Sequence, residues 1–118
     1  MIHHELPVYR SAYAFLLSMF QLCRGFDREY KFTWGENIKK DGLELLQLVY
    51  LACVRAENSD LLLQARERLE LIRLQMRLLM DLKQISLFIG RGSGLVRVIF
   101  KPLAYLHLHY VRKIQNLS

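Results

Sequence analysis

Residues 59–89 read SDLLLQARERLELIRLQMRLLMDLKQISLFI, and this stretch decides the fold. Leu62, Ala65, Leu69, Ile72, Met76 and Leu79 alternate three- and four-residue steps, the period of one helical face. Leu71, Leu74, Leu78, Leu82, Ile85 and Ile89 form a second stripe of helical spacing. At about 100° per residue the two stripes are centred roughly 150° apart. The pattern predicts a helix from Ser59 to Ile89, roughly 45 Å long. Ser59 is placed to cap it, and Asp60 sits against the positive end of its dipole. A helix on the surface of a domain needs one apolar stripe, so two stripes imply two buried surfaces. Either the helix is central in its own domain or one side packs on another subunit. A domain of three or four helices leaves little room for a fully central helix. The second stripe is therefore read as an oligomer interface, carried by Leu71, Leu74, Leu78, Leu82 and Ile85.

Two further helices precede this one. Pro7 opens the first, where its missing N–H costs nothing, and the helix is expected to reach Phe26. Ala12, Leu16, Met19, Cys23 and Phe26 form its main stripe, flanked by Tyr13, Leu17 and Phe20. The second is expected to start near Thr33, because Thr33 and Glu36 have capping-box spacing. Its apolar set includes Ile38, Leu45, Leu46, Val49, Ala52 and Cys53. Gly42 costs this helix about 1 kcal/mol relative to alanine, so tertiary packing or a close backbone approach must account for it. After the third helix, Gly90, Gly92 and Gly94 mark a break. Leu95 to Phe100 is short and β-branched, as in a strand, whereas Pro102 to Leu117 reads as a helix through Leu103, Leu106, Tyr110, Val111 and Ile114. The 118 residues therefore read as one all-α domain with an open question over its fourth helix.

Charge is distributed unevenly. Residues 1–81 balance eleven bases against eleven acids, and the net charge of +6 comes from Lys83, Arg91, Arg97, Lys101, Arg112 and Lys113. Such asymmetry suits a polyanionic partner. With 53% apolar and 24% charged residues the chain is globular rather than disordered. The longest charge-free run, Ser11 to Cys23, is too short to span a bilayer, and no secretion signal is evident. A cytoplasmic protein with reduced core thiols at Cys23 and Cys53 is expected.

No catalytic signature stands out, and no enzyme, cofactor or metal is expected. The acids form no pair around a recognisable cleft. Gly90 to Gly94 follows a helix instead of opening one, so it is read as a connector, with Arg91 left as a nonspecific nucleic-acid contact. His107 and His109 would share a side only on a strand. The third helix also carries a polar seam of Arg66, Glu70, Arg73, Arg77 and Gln84. Its first reading is a solvated face with Glu70 pairing to Arg66 and Arg73, and Arg77 to Asp81. Its second is a phosphate-binding track of arginines, extended by Lys39 and Lys40 with Arg28 and Lys31.

Dispersed residues carry a family resemblance. They include Leu6-Pro7-Val8-Tyr9-Arg10, Ala12-Tyr13, Phe26, Arg28 to Thr33, Gly35-Glu36 and Lys39-Lys40. They continue with Ala65-Arg66-Glu67, Leu69-Glu70, Ile72-Arg73-Leu74, Arg77-Leu78-Leu79 and Asp81 to Ile85. Over roughly Leu6 to Ser86 the chain resembles the accessory variability determinants of diversity-generating retroelements, relatives of proteins encoded in intervening sequences of bacterial ribosomal RNA genes. The resemblance implies an antiparallel up-down four-helix bundle that assembles as a homopentamer and does no chemistry. It implies reverse transcriptase and RNA or DNA as partners. Matching basic positions are Arg66, Arg73, Arg77 and Lys83, with Lys39 and Lys40. The chain departs from the family beyond Ile89, where a polar fourth helix ending near a tryptophan is usual. Here that segment is broken by glycines and apolar, and Trp34 is the only tryptophan. The rival reading is an interaction bundle of the intervening-sequence type with no retroelement role.

Overall fold

The computed structural model describes residues 7–55, 57–84, 106, 108–110, 112, 113 and 115. Apart from short turns these residues are helical, and no strand occurs among them. The first helix, α1, is Pro7–Cys23. It stops short of Phe26, because the chain leaves through a turn in which Gly25 N–H donates to Leu22 O and Phe26 N–H to Cys23 O. Phe26 is nonetheless buried.

The second helix starts earlier than its capping-box spacing suggests. Arg28–Tyr30 is α-helical, Lys31–Gly35 is a π-helical turn and Glu36–Val54 is α-helical again, three runs that follow one another without a gap and together form α2. Thr33 is therefore inside a helix and caps nothing. Its hydroxyl donates to the Glu29 carbonyl one turn back at 2.8 Å, while Glu36 pairs with Lys39.

The third helix, α3, is Ser59–Asp81. Asn58 holds the N-cap position without a side-chain cap bond, and Ser59 Oγ donates to Glu57 instead. The C-terminal end falls eight residues before the expected Ile89. Gln84 N–H donates to Leu79 O and Lys83 N–H to Met80 O, the paired bonds that close a helix with a left-handed residue. That residue is Lys83, at φ 61°.

Successive helices run antiparallel. From the start to the end of α1, Tyr9 meets Tyr50, Leu16 faces Gly42, and the Cys23 thiol reaches the Gly35 carbonyl. Gly42 is explained by that approach: a Cβ there would lie 3.0 Å from Leu16 Cδ1, so a side chain and not a backbone fills the space. Between α2 and α3, Asn37 meets Gln75, Asp41 meets Arg68, and Asn58 donates to the Ala52 carbonyl. The first stripe of α3 is buried throughout, in one core with Phe15 and Met19 of α1 and Ile38, Leu45 and Val49 of α2.

The C-terminal segment joins the same core. Leu106, Leu108, His109, Tyr110, Arg112, Lys113 and Gln115 are helical, and Leu106 and Tyr110 are fully buried. The strand-like stretch 95–100, the glycine break at 90–94, and residues Ile85, Ile89, Arg91 and His107 lie outside the described residues. Among the described residues no helix is long and apolar enough to cross a membrane.

Candidate nucleic-acid and subunit surface

The circumference of α3 divides into four strips. The first stripe faces the core. On one flank, Arg68 and Gln75 turn to α2 and meet the buried Asp41. Arg68 Nη1 lies 3.0 Å from Asp41 Oδ1, and its Nη2 lies 3.0 Å from Glu44 Oε2. Gln75 donates to Asp41 Oδ2 and accepts from Asn37 Nδ2 at 2.9 Å. Asn37, Asp41 and Glu44 on one helix thus form a polar ladder with Gln75 and Arg68 on the other.

The opposite flank carries the predicted arginine seam. Arg66, Arg73 and Arg77 are all exposed. Arg73 pairs with Glu70 at 3.4 Å and Arg77 with Asp81 at 3.6 Å, the i,i+3 and i,i+4 partners expected from the spacing. The Arg77–Asp81 pair is about 70% exposed on both sides, so it holds its partners loosely and a phosphate can compete. The fourth strip faces outward. Leu71 is 47% and Leu74 66% exposed, and Leu63, more than two turns earlier on the helix, is 45% exposed. Leu78 and Leu82 are half-buried. The second stripe is therefore uncovered at its centre within one chain, next to the arginines.

Lys39 and Lys40 do not extend the arginine seam. Lys39 pairs with Glu36 at 2.7 Å and stands 5.3 Å from the centre of the Phe20 ring, on the side of α2 that faces α1. Lys40 is exposed on α2, whose contact with α3 is made through the Arg68 flank. Gln84 also leaves the seam. Beyond the left-handed Lys83 it accepts from Asp27 N–H at 2.7 Å, and its Nε2 donates to Asp27 Oδ2 at 3.1 Å. This clasp ties the end of α3 to the start of α2.

A second exposed cluster flanks the clasp. Arg28 follows Asp27, Lys83 precedes Gln84, and all but Gln84 are exposed. One turn beyond Arg28, in the π-helical turn, Phe32 is 66% exposed with the Lys31 ammonium 6.0 Å from its ring centre. Trp34 is partly exposed in the same turn. Sequence reading placed Arg28 and Lys31 in a basic track but gave Phe32 no role. An aromatic residue without a place in the apolar period of α2 was the available signal.

The remaining candidates carry less chemistry. Burial pushes the Cys23 thiol up to about 11, with a smaller lowering by Lys39 and a raising by Glu36, so it is an inert core thiol at neutral pH. Burial likewise raises Cys53, and both thiols are free. His109 is held below its usual value by burial and by Lys113. Among the described residues, Tyr9, Arg10, Tyr13, Ala14 and Leu17 line an open cavity of about 400 Å³ on α1, and none of the five is an acid, thiol or imidazole. Comparison with protein-family models, with curated proteins and with solved structures gave no match to this chain.

Proposed function

We propose that this chain is a non-catalytic, cytoplasmic scaffold that assembles with copies of itself and binds nucleic acid, acting as the accessory protein of a diversity-generating retroelement. In this reading it holds the reverse transcriptase and its RNA together during mutagenic copying. The observation that carries the proposal is the juxtaposition on α3 of uncovered Leu71 and Leu74 with exposed Arg66, Arg73 and Arg77. Apolar side chains in a row on a helix gain by burial against a neighbour, at about 25 cal/mol per Å². Guanidinium groups beside them suit phosphate through their planar forks. The fold proposed is an antiparallel up-down four-helix bundle. Its support is the antiparallel order of α1, α2 and α3, with Leu106 and Tyr110 entering the same core. The assembly proposed is a pentamer, after the family the sequence resembles.

A second reading has its own observation. The seam arginines are paired along their own helix, Arg73 with Glu70 and Arg77 with Asp81, as on a merely solvated face. That favours an interaction bundle of the ribosomal intervening-sequence type, with no retroelement role. A reverse-transcriptase gene and a template repeat beside the gene for this chain would favour the first reading, and their absence the second. The biochemical test is titration of fluorescent RNA against salt. Binding is expected to weaken steeply as salt rises. Arg73→Glu with Arg77→Glu is expected to reduce affinity at least about tenfold and to make the salt dependence shallower by roughly two phosphate contacts. Unchanged binding by that double variant would exclude the arginine seam.

A further inference from the structure

We infer that the end of the molecule built around the Asp27–Gln84 clasp is a stacking site for single-stranded nucleic acid, with the Phe32 ring as its platform and Lys31, Arg28 and Lys83 as its phosphate contacts. The inference rests on the nucleic-acid reading above and gives it a strand preference.

Phe32 is the first ground. At 66% exposure it equals Leu74 as the most exposed large apolar side chain described, and it stands in the π-helical turn of α2, not on α3 or α1. A helix surface can present an aliphatic side chain for packing, but a lone phenylalanine among cations presents a π-face. Single-stranded bases stack on such a face whatever their identity, whereas paired bases in a duplex keep theirs covered. The Lys31 ammonium stands over one face of the ring, 6.0 Å from its centre, so a cation adjoins the platform and a base would stack on the other face or displace it.

The local backbone is the second ground. The π-helical turn Lys31–Gly35 is the only such turn among the described residues, and turns of this kind are rare and concentrate at functional sites. Lys83 is the one described residue other than glycine with positive φ. A helix end of this type favours glycine or asparagine, because a Cβ in the left-handed region meets the following carbonyl. Lysine there retains a cation at the cost of strain, and the clasp brings it to the same end as Arg28.

The charge count is the third ground. Asp27 accepts from Gln84, and Glu36 is neutralised by Lys39. The Gln84 amide is neutral, so Asp27 keeps its charge, and Asp27 and Glu29 stand against Arg28, Lys31 and Lys83, an excess of one positive charge. The surface is net positive around an exposed ring, which complements a single strand better than an apolar protein partner.

The test compares a fluorescein-labelled 20-nucleotide oligouridylate with a labelled RNA duplex, both bound to the full chain at fixed salt and read by anisotropy. Phe32→Leu and Phe32→Ala keep an exposed helix position, so both variants are expected to fold, with circular dichroism as the check. Both are expected to weaken oligouridylate binding on the order of tenfold and to leave duplex binding unchanged. Phe32→Tyr, which keeps the ring, is expected to bind like the wild type. Oligouridylate binding that survives Phe32→Leu but fails in Arg73→Glu with Arg77→Glu would overturn this inference and leave the arginine seam as the contact. Equal losses on single strand and duplex would overturn the stacking mechanism. Failure of the wild type to bind either RNA would overturn both the stacking site and the nucleic-acid reading beneath it.

Discussion

Lys83 stands in the left-handed region at φ 61°, where glycine is the cheaper residue. A non-glycine residue there costs on the order of 1 kcal/mol, offset in part by the greater entropy that glycine brings to the unfolded chain. Lys83→Gly is therefore expected to raise stability by about 0.5 kcal/mol, read as a higher urea midpoint at unchanged slope. A lower midpoint would mean that the lysine side chain makes a contact worth more than its strain. The reason this position escapes sequence reading is physical. Lysine is a good helix former, and the run Asp81 to Ile85 carries the helical period across it. The helix stops instead because Lys83 and Gln84 donate their N–H groups back to Met80 and Leu79, and because the Gln84 side chain then finds Asp27. That last partner is 57 residues away, so no local pattern announces it.

At the scale of the element, α2 and α3 are held in register by a polar ladder inside an otherwise apolar contact. Asp41 is buried at 7% exposure and meets Arg68 and Gln75, and Gln75 in turn meets Asn37. A slide of one turn would leave the Asp41 carboxylate buried without donors. Asp41→Ala removes the acceptor that both Arg68 and Gln75 use, and it is expected to cost about 2–3 kcal/mol in urea or thermal unfolding. A loss below about 0.5 kcal/mol would mean that apolar packing alone sets the register. Reading the chain gave the helices themselves, because the first stripe of α3 and the main stripe of α1 repeat at the helical period and are buried where they were expected. The ladder was not legible in the same way. Asp41, Arg68 and Gln75 look like ordinary surface residues until two helices are laid together, which brings Arg68 and Gln75, 27 and 34 residues further on, to Asp41. The start of α2 differs from its sequence signal for a related reason. Thr33 and Glu36 have the spacing of a cap, but the helix is already under way from Arg28, and the π-helical turn shifts the phase of the apolar residues across that join.

For the whole molecule, each exposed patch is small, and assembly would change what it can do. One chain offers three exposed arginines on α3 beside two uncovered leucines. Its formal excess of charge comes from residues beyond Asp81, of which Lys83, Arg112 and Lys113 are described and exposed. A single seam would hold RNA weakly, whereas several seams around a ring bind as one multivalent surface, with the later contacts made intramolecular by the first. Burying Leu71 and Leu74 between subunits would set the arginine strips of neighbouring chains side by side, because the two strips adjoin on one helix. Leu71→Glu with Leu74→Glu separates these levels. Both side chains are about half or more exposed in one chain, so their loss is expected to leave the unfolding transition of the subunit itself within about 0.5 kcal/mol per site. The charges would oppose assembly, and light scattering after size exclusion is expected to give the mass of a single chain, 14.0 kDa, where the proposed assembly predicts a multiple of it for the wild type. RNA affinity is expected to fall with the mass although every arginine is still present, and the salt dependence to become shallower as fewer phosphates are met at once. Retention of the larger mass by the double variant would place the subunit seam elsewhere. Loss of mass with full RNA affinity would show that one chain supplies the whole nucleic-acid site.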